Sequence, residues 1–120
     1  MKHGSTAPAP RPVDAEKTVD AFLYAPPSPA RVCPRLWVAS AQPACARGLR
    51  KLKQARRRHV FAPPKRGTMM YRLGGVEGDK VSIEAGDPQP DPSKGPPSFY
   101  GIFELRRVGS AWKVVREEPY

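Results

Sequence analysis

The chain has 120 residues, 16 of them proline, and a formal net charge of +10. That length fits one modest domain, and so much proline excludes long uninterrupted helices and a large sheet. No apolar run approaches the roughly 20 residues that cross a bilayer as a helix. The charge is local. Residues 31–66 hold eleven bases and no acid, whereas acids and bases nearly cancel elsewhere. A concentrated positive surface attracts nucleic acid, acidic protein or anionic lipid without choosing among them.

Residues 1–13 carry Pro8, Pro10 and Pro12 with no apolar periodicity. Such a stretch buries too little to offset its ordering entropy. It reads as a disordered Pro/Ala-rich tail, with residues 14–120 as the single domain. No secretory signal is visible after Met1-Lys2-His3-Gly4-Ser5. The expected compartment is the cytoplasm, with export as the alternative if a leader or anchor has been removed.

A first helix is expected over residues 14–25, where Ala15, Val19, Phe22 and Leu23 share one face. Asp14 suits its N-cap, Glu16 its positive first turn, and Pro26-Pro27 its stop. Residues 35–39 fit a helical turn or a short strand, with Trp37 as a core anchor. A firmer helix spans 43–59, opened by a proline at its first position. Cys45, Gly48, Leu49, Leu52, Ala55 and His59 share its apolar arc, and Arg47, Arg50, Lys51, Lys53, Arg57 and Arg58 occupy the remainder. Arg56 intrudes on the apolar arc, where its stem can snorkel outward. Cys33 and Cys45 give no disulfide framework to read. They are expected as reduced, packed small hydrophobes, with one disulfide loop as the alternative.

Val60-Phe61-Ala62 is expected as a short strand. Residues 67–86 read as a β-hairpin with arms at 68–73 and 80–85, a turn at Gly78-Asp79, and a bulge or bend at Gly74-Gly75. Residues 87–97 read as a Pro-rich loop. A last hairpin pairs 98–108 with 111–118 across Gly109-Ser110, placing Phe103 and Leu105 on one face with Trp112 and Val114. The expected fold class is α+β. Two C-terminal hairpins form an antiparallel sheet, packed against the N-terminal helix and the basic amphipathic helix.

The basic helix is the feature best able to carry chemistry. Like charges along one helix repel, so a face without a compensating acid argues for an anionic partner. Arg47, Arg50, Lys51, Lys53, Arg57 and Arg58 are the expected phosphate contacts, extended by Lys65 and Arg66. Phe61, Tyr71, Phe99 and Tyr100 are aromatics near the block or opening the last hairpin, but no RNP signature or zinc-finger spacing accompanies them. The expected binding is therefore electrostatic and indifferent to sequence. No catalytic motif, cofactor loop or paired carboxylate is found. His59 reads as a packed or capping residue before it reads as an acid–base group. A zinc site from Cys33, Cys45 and His59 lacks knuckle spacing.

Ala15-Glu16-Lys17-Thr18-Val19-Asp20-Ala21-Phe22-Leu23 at one end and Phe103-Glu104-Leu105-Arg106-Arg107-Val108-Gly109-Ser110-Ala111-Trp112-Lys113-Val114-Val115 at the other give an order of elements that resembles the NTF2-like superfamily of cystatin-like α+β folds. The resemblance implies a curved sheet wrapping the first helix around a cone-shaped pocket. It carries over no catalytic residue. Two functions follow as expectations. The first is a non-enzymatic binding module that holds a polyanion, nucleic acid before acidic protein, without cofactor or metal. The second is an NTF2-like accessory protein, exported, that binds a protein or small apolar ligand in a pocket lined by Phe22, Trp37, Met70, Tyr71, Phe103 and Trp112. Exposed sheet edges leave room for a homodimer.

Overall fold

In the computed structural model, which describes residues 11–88 and 99–119, the face formed by Ala15, Val19, Phe22 and Leu23 is fully buried. Helix α1 runs Ala15–Leu23, preceded by a 3-10 turn at Pro12–Asp14. Asp14 does not cap the α-helix. Its Oδ2 accepts the Arg11 backbone N–H at 3.0 Å, closing the turn ahead of the helix. The Arg11 carbonyl in turn accepts the Trp112 indole N–H at 2.9 Å, so residues just before α1 are docked on the sheet. Residues 1–10 of the expected tail lie outside the described residues, as does most of the expected Pro-rich loop.

Helix α2 spans Pro29–Leu36. The ambiguous stretch at 35–39 is divided, helical through Leu36 and extended at Trp37, which forms a parallel bridge with Val114. A second 3-10 turn, Ala39–Ala41, reverses the chain into α3, Gln42–Arg58. Helix ends leave orphan carbonyls. The Gln42 side-chain amide nitrogen lies 3.0–3.1 Å from the carbonyls of Cys33, Trp37 and Val38 and shares its two N–H groups among them, although the Cys33 and Val38 carbonyls also accept backbone N–H groups.

That reversal corrects the expectation of reduced cysteines. Cys33 and Cys45 are bonded, with their Cα atoms 5.8 Å apart. Both are buried, as small hydrophobes would be. Their pairing depends on the turn between α2 and α3, which a separation of 12 residues does not announce.

Helix α3 ends on a left-handed residue, His59, at φ 55°. The Val60 N–H donates to the Ala55 carbonyl at 3.2 Å, the six-to-one bond of a Schellman ending. His59 is therefore an exposed cap and not part of the packed arc. The expected strand at Val60-Phe61-Ala62 is absent, because Phe61 also takes a positive φ of 54° and breaks the extended path.

The fold is α+β, with four antiparallel strands in the order β1-β2-β3-β4: Met70–Glu77, Lys80–Gly86, Tyr100–Val108 and Ala111–Pro119. Both two-residue turns, Gly78-Asp79 and Gly109-Ser110, fall where expected, and the first arm is bulged between Leu73 and Gly75. Phe103, Leu105, Trp112 and Val114 are all buried. The helices cover that face. Phe22 lies 5.3 Å from the Trp37 ring centroid and 6.1 Å from that of Phe103.

Four of the six residues expected to line a pocket thus fill the core instead. Met70 is 60% exposed, and Tyr71 is half-buried with its hydroxyl donating to Asp20 at 2.6 Å. Edge strand β1 exposes Met70, Leu73 and Val76, whereas the Trp37–Val114 bridge covers part of the β4 edge.

Candidate anion-binding face and groove

The α3 wheel places its cations as expected. Arg47, Arg50, Lys51, Lys53, Arg57 and Arg58 are all exposed, and Lys65 is exposed in the following segment. Among the described residues, no carboxylate comes within ion-pair distance of any of these seven. Arg66 differs. Its guanidinium sits 3.9 Å from the Asp20 carboxylate and over the Tyr24 ring, on the α1 side of the molecule.

Arg56 also differs, and its place in the apolar arc now has a reason. It donates to the Leu23 carbonyl at 2.6 Å and lies 5.3 Å from the Tyr24 ring centroid. A cation at the carbonyl end of α1 complements the helix dipole, and the ring face adds a cation–π contact. Arg56 joins two helices; the other six cations face solvent.

Beside this face, α3 and β4 enclose a groove of about 600 Å³. The two elements touch closely at Gly48, where an added Cβ would stand 3.0 Å from Phe22 Cζ and 3.2 Å from Glu117 Oε1. Farther along they part. Leu52 and Ala55 of α3 and Val115 of β4 line the groove, together with Trp37, Val60 and Phe61. Arg47, Lys51 and Arg58 rim it from the helix.

Glu117 was not anticipated as an inward group. Regular pairing back from Gly109-Ser110 would set Ile102 opposite Glu117 and turn it outward. The ladder slips between Glu104 and Leu105, so that Leu105 pairs with Val114 but Glu104 pairs with Arg116. Val115 is the extra residue, and Glu117 comes opposite Phe103 on the inner face. Burial raises the pKa of this carboxyl above its ordinary value, and the nearby Lys51 charge offsets only part of that rise. The Trp37 indole N–H, also buried, has no acceptor among the described residues.

The raised pKa has a measurable consequence. From pH 4.5, the ordinary carboxyl value, upward, the unfolded chain releases the Glu117 proton before the folded chain does. Stability contributed by the neutral acid is full below that point and falls as pH rises through the folded pKa. Glu117→Gln is expected to match the wild type at pH 4 and to melt several degrees higher at pH 7.5. Thermal melts of both proteins at the two pH values test this, and an equal offset at both would reject it.

Other groups give less. Glu84 accepts from the Tyr100 hydroxyl and from Arg72, and these hydrogen bonds hold its pKa below the usual carboxylate value. Burial and the hydrogen bond to Asp20 push the Tyr71 phenol well up. Among the described residues no three His, Cys, Asp or Glu side chains cluster to hold a metal ion, and no helix is long and apolar enough to cross a membrane. Fold and site together define a small disulfide-bonded α+β domain with one strongly basic helix. No family model matches the chain, and no match was found among the curated proteins or the solved structures.

Proposed function

We propose that this protein is a non-enzymatic binding module whose α3 face holds a polyanion, nucleic acid first among them. The observation that carries the reading is the row of six exposed α3 cations without a carboxylate partner among the described residues. Seventeen helical residues extend roughly 25 Å, long enough to meet several phosphates in a row. A polyanion would relieve the repulsion along the helix and release its own counterions. Arg47, Arg50, Lys51, Lys53, Arg57 and Arg58 form this surface, with Lys65 at its margin. Arg66 contributes less, because Asp20 already holds it.

The disulfide bears on where this happens. Such bonds persist in oxidising surroundings and are rare in the cytosol, so the Cys33–Cys45 bond favours export over the cytoplasmic expectation. The NTF2-like pocket reading keeps one support, the groove beside α3, which includes Trp37 but none of the other five residues expected to line a pocket.

Binding of labelled single- and double-stranded oligonucleotides, followed by fluorescence anisotropy, tests the proposal. If six phosphates are neutralised, affinity for duplex falls on the order of a thousandfold between 50 and 200 mM salt. The variant Arg50→Gln/Lys51→Gln/Arg57→Gln/Arg58→Gln should lose most of the binding at either salt. Affinity that ignores salt, or that survives in this variant, would refute a phosphate-binding helix.

A further inference from the structure

We propose that the groove between α3 and β4 is a separate site for a single-chain amphipathic carboxylate of the fatty-acid type. Its alkyl chain would lie against Leu52, Ala55 and Val115, with its carboxylate at the Arg47–Lys51 end. The site shares Arg47, Lys51 and Arg58 with the polyanion face, but rests on the groove's shape and lining, which the basic helix alone does not require.

Size comes first. A volume of about 600 Å³ lies within the range of pockets that hold small organic ligands. The lining along α3 is mixed, apolar between cations. Arg47 and Lys51, one helical turn apart, line the groove near Gly48, and Leu52 and Ala55 follow toward the α3 C-terminus, where Gln54 and Arg58 are its polar members. Val60, 49% exposed, and Phe61, 71% exposed, are large apolar side chains that line the groove and are left in water. Phe61 is held there by a left-handed backbone that bulky residues avoid. Strain of that kind persists where surrounding structure enforces it, and it clusters at ligand clamps.

Charge selects the head group. Arg116 is already engaged by Glu104 and Glu118, each at 3.3 Å, leaving Arg47, Lys51 and Arg58 as the groove cations without a carboxylate partner among the described residues. A cationic amphiphile would meet those three. A carboxylate would be drawn to them, and its oxygen could share a single proton with the Glu117 carboxyl, as paired carboxyl groups do.

The probe is dodecanoate, titrated below its micellar concentration into the whole protein. Calorimetry and tryptophan fluorescence report binding, since Trp37 lines the groove. The proposal expects saturable one-to-one binding of dodecanoate. Dodecanol, acetate and dodecyltrimethylammonium should each bind at least tenfold more weakly. Ala55→Phe, which fills the groove, should abolish dodecanoate binding while oligonucleotide binding persists. Phe61→Ser, at an exposed position that folding does not need, should weaken dodecanoate at least severalfold and decides the matter if Ala55→Phe misfolds. Arg50→Gln/Arg57→Gln should do the reverse, weakening oligonucleotide and sparing dodecanoate, because neither residue lines the groove. The proposal is overturned if dodecanoate does not saturate, if the cationic chain, dodecanol or acetate binds equally well, or if Phe61→Ser binds as the wild type does.

Discussion

Replacing Cys33 and Cys45 together by alanine is expected to cost about 3 kcal/mol of folding stability and to lower the melting temperature by roughly 10–20 °C. The bond closes a loop with a sequence separation of 12, and in the chain-entropy account such a crosslink removes conformations mainly from the unfolded state. Alanine suits both positions because both are buried among apolar neighbours and need no polar partner. Adding a reductant to the wild type should reproduce most of the drop, and adding it to the double variant should change nothing. The Gln42 clasp survives the substitution and should keep the corner between α2 and α3 in shape. A wild type whose melt ignores full reduction, with both thiols then titratable, would show that the crosslink does not constrain the fold. Free thiols in protein purified without reductant would remove the argument for an oxidising compartment.

The second large effect is at Phe22. Phe22→Ala should cost about 3–5 kcal/mol, a large part of the roughly 5–15 kcal/mol available to a domain. The ring is 0% exposed, lies against Trp37 and Phe103, and reaches within 3.0 Å of where a Gly48 Cβ would be. Removing it leaves a cavity under three elements, α1, α3 and β3, none of which can close the gap alone. The tilted and edge-on ring contacts add to the loss beyond area burial. Denaturant unfolding measures this, with a shifted midpoint and an unchanged slope. Met70→Ala is the internal comparison. Met70 was expected beside Phe22 in a pocket but is exposed, so its replacement should stay within about 0.5 kcal/mol. Equal costs at the two positions would mean that the core has been misplaced.

Much of the fold is legible in the sequence because its signals are local. The period of Ala15, Val19, Phe22 and Leu23 defines α1, and the alternation around Gly109-Ser110 defines the last hairpin. The exposed cations of α3 follow from a helical wheel alone. What escapes the sequence is set between elements or by single backbone angles. The disulfide needs the 3-10 reversal at Ala39–Ala41, and the missing strand after α3 turns on the positive φ of His59 and Phe61. Phenylalanine does not advertise that conformation, and histidine does so only weakly. The groove is harder still, because its walls come from positions some sixty residues apart, such as Ala55 and Val115. Its acid faces inward only because β4 slips by one residue, with no glycine to mark the place.

That slip also divides the duties of one strand. Up to Val114, β4 serves the core; past Val115 it serves the groove. The pairing of Leu105 with Val114 and of Glu104 with Arg116 closes as though Val115 were not there. Val115 is thus surplus to the sheet, an added tooth on an otherwise regular rack. The groove wall is built from a residue that the scaffold does not require, and it can vary in size or polarity with little disturbance to the ladder that carries it.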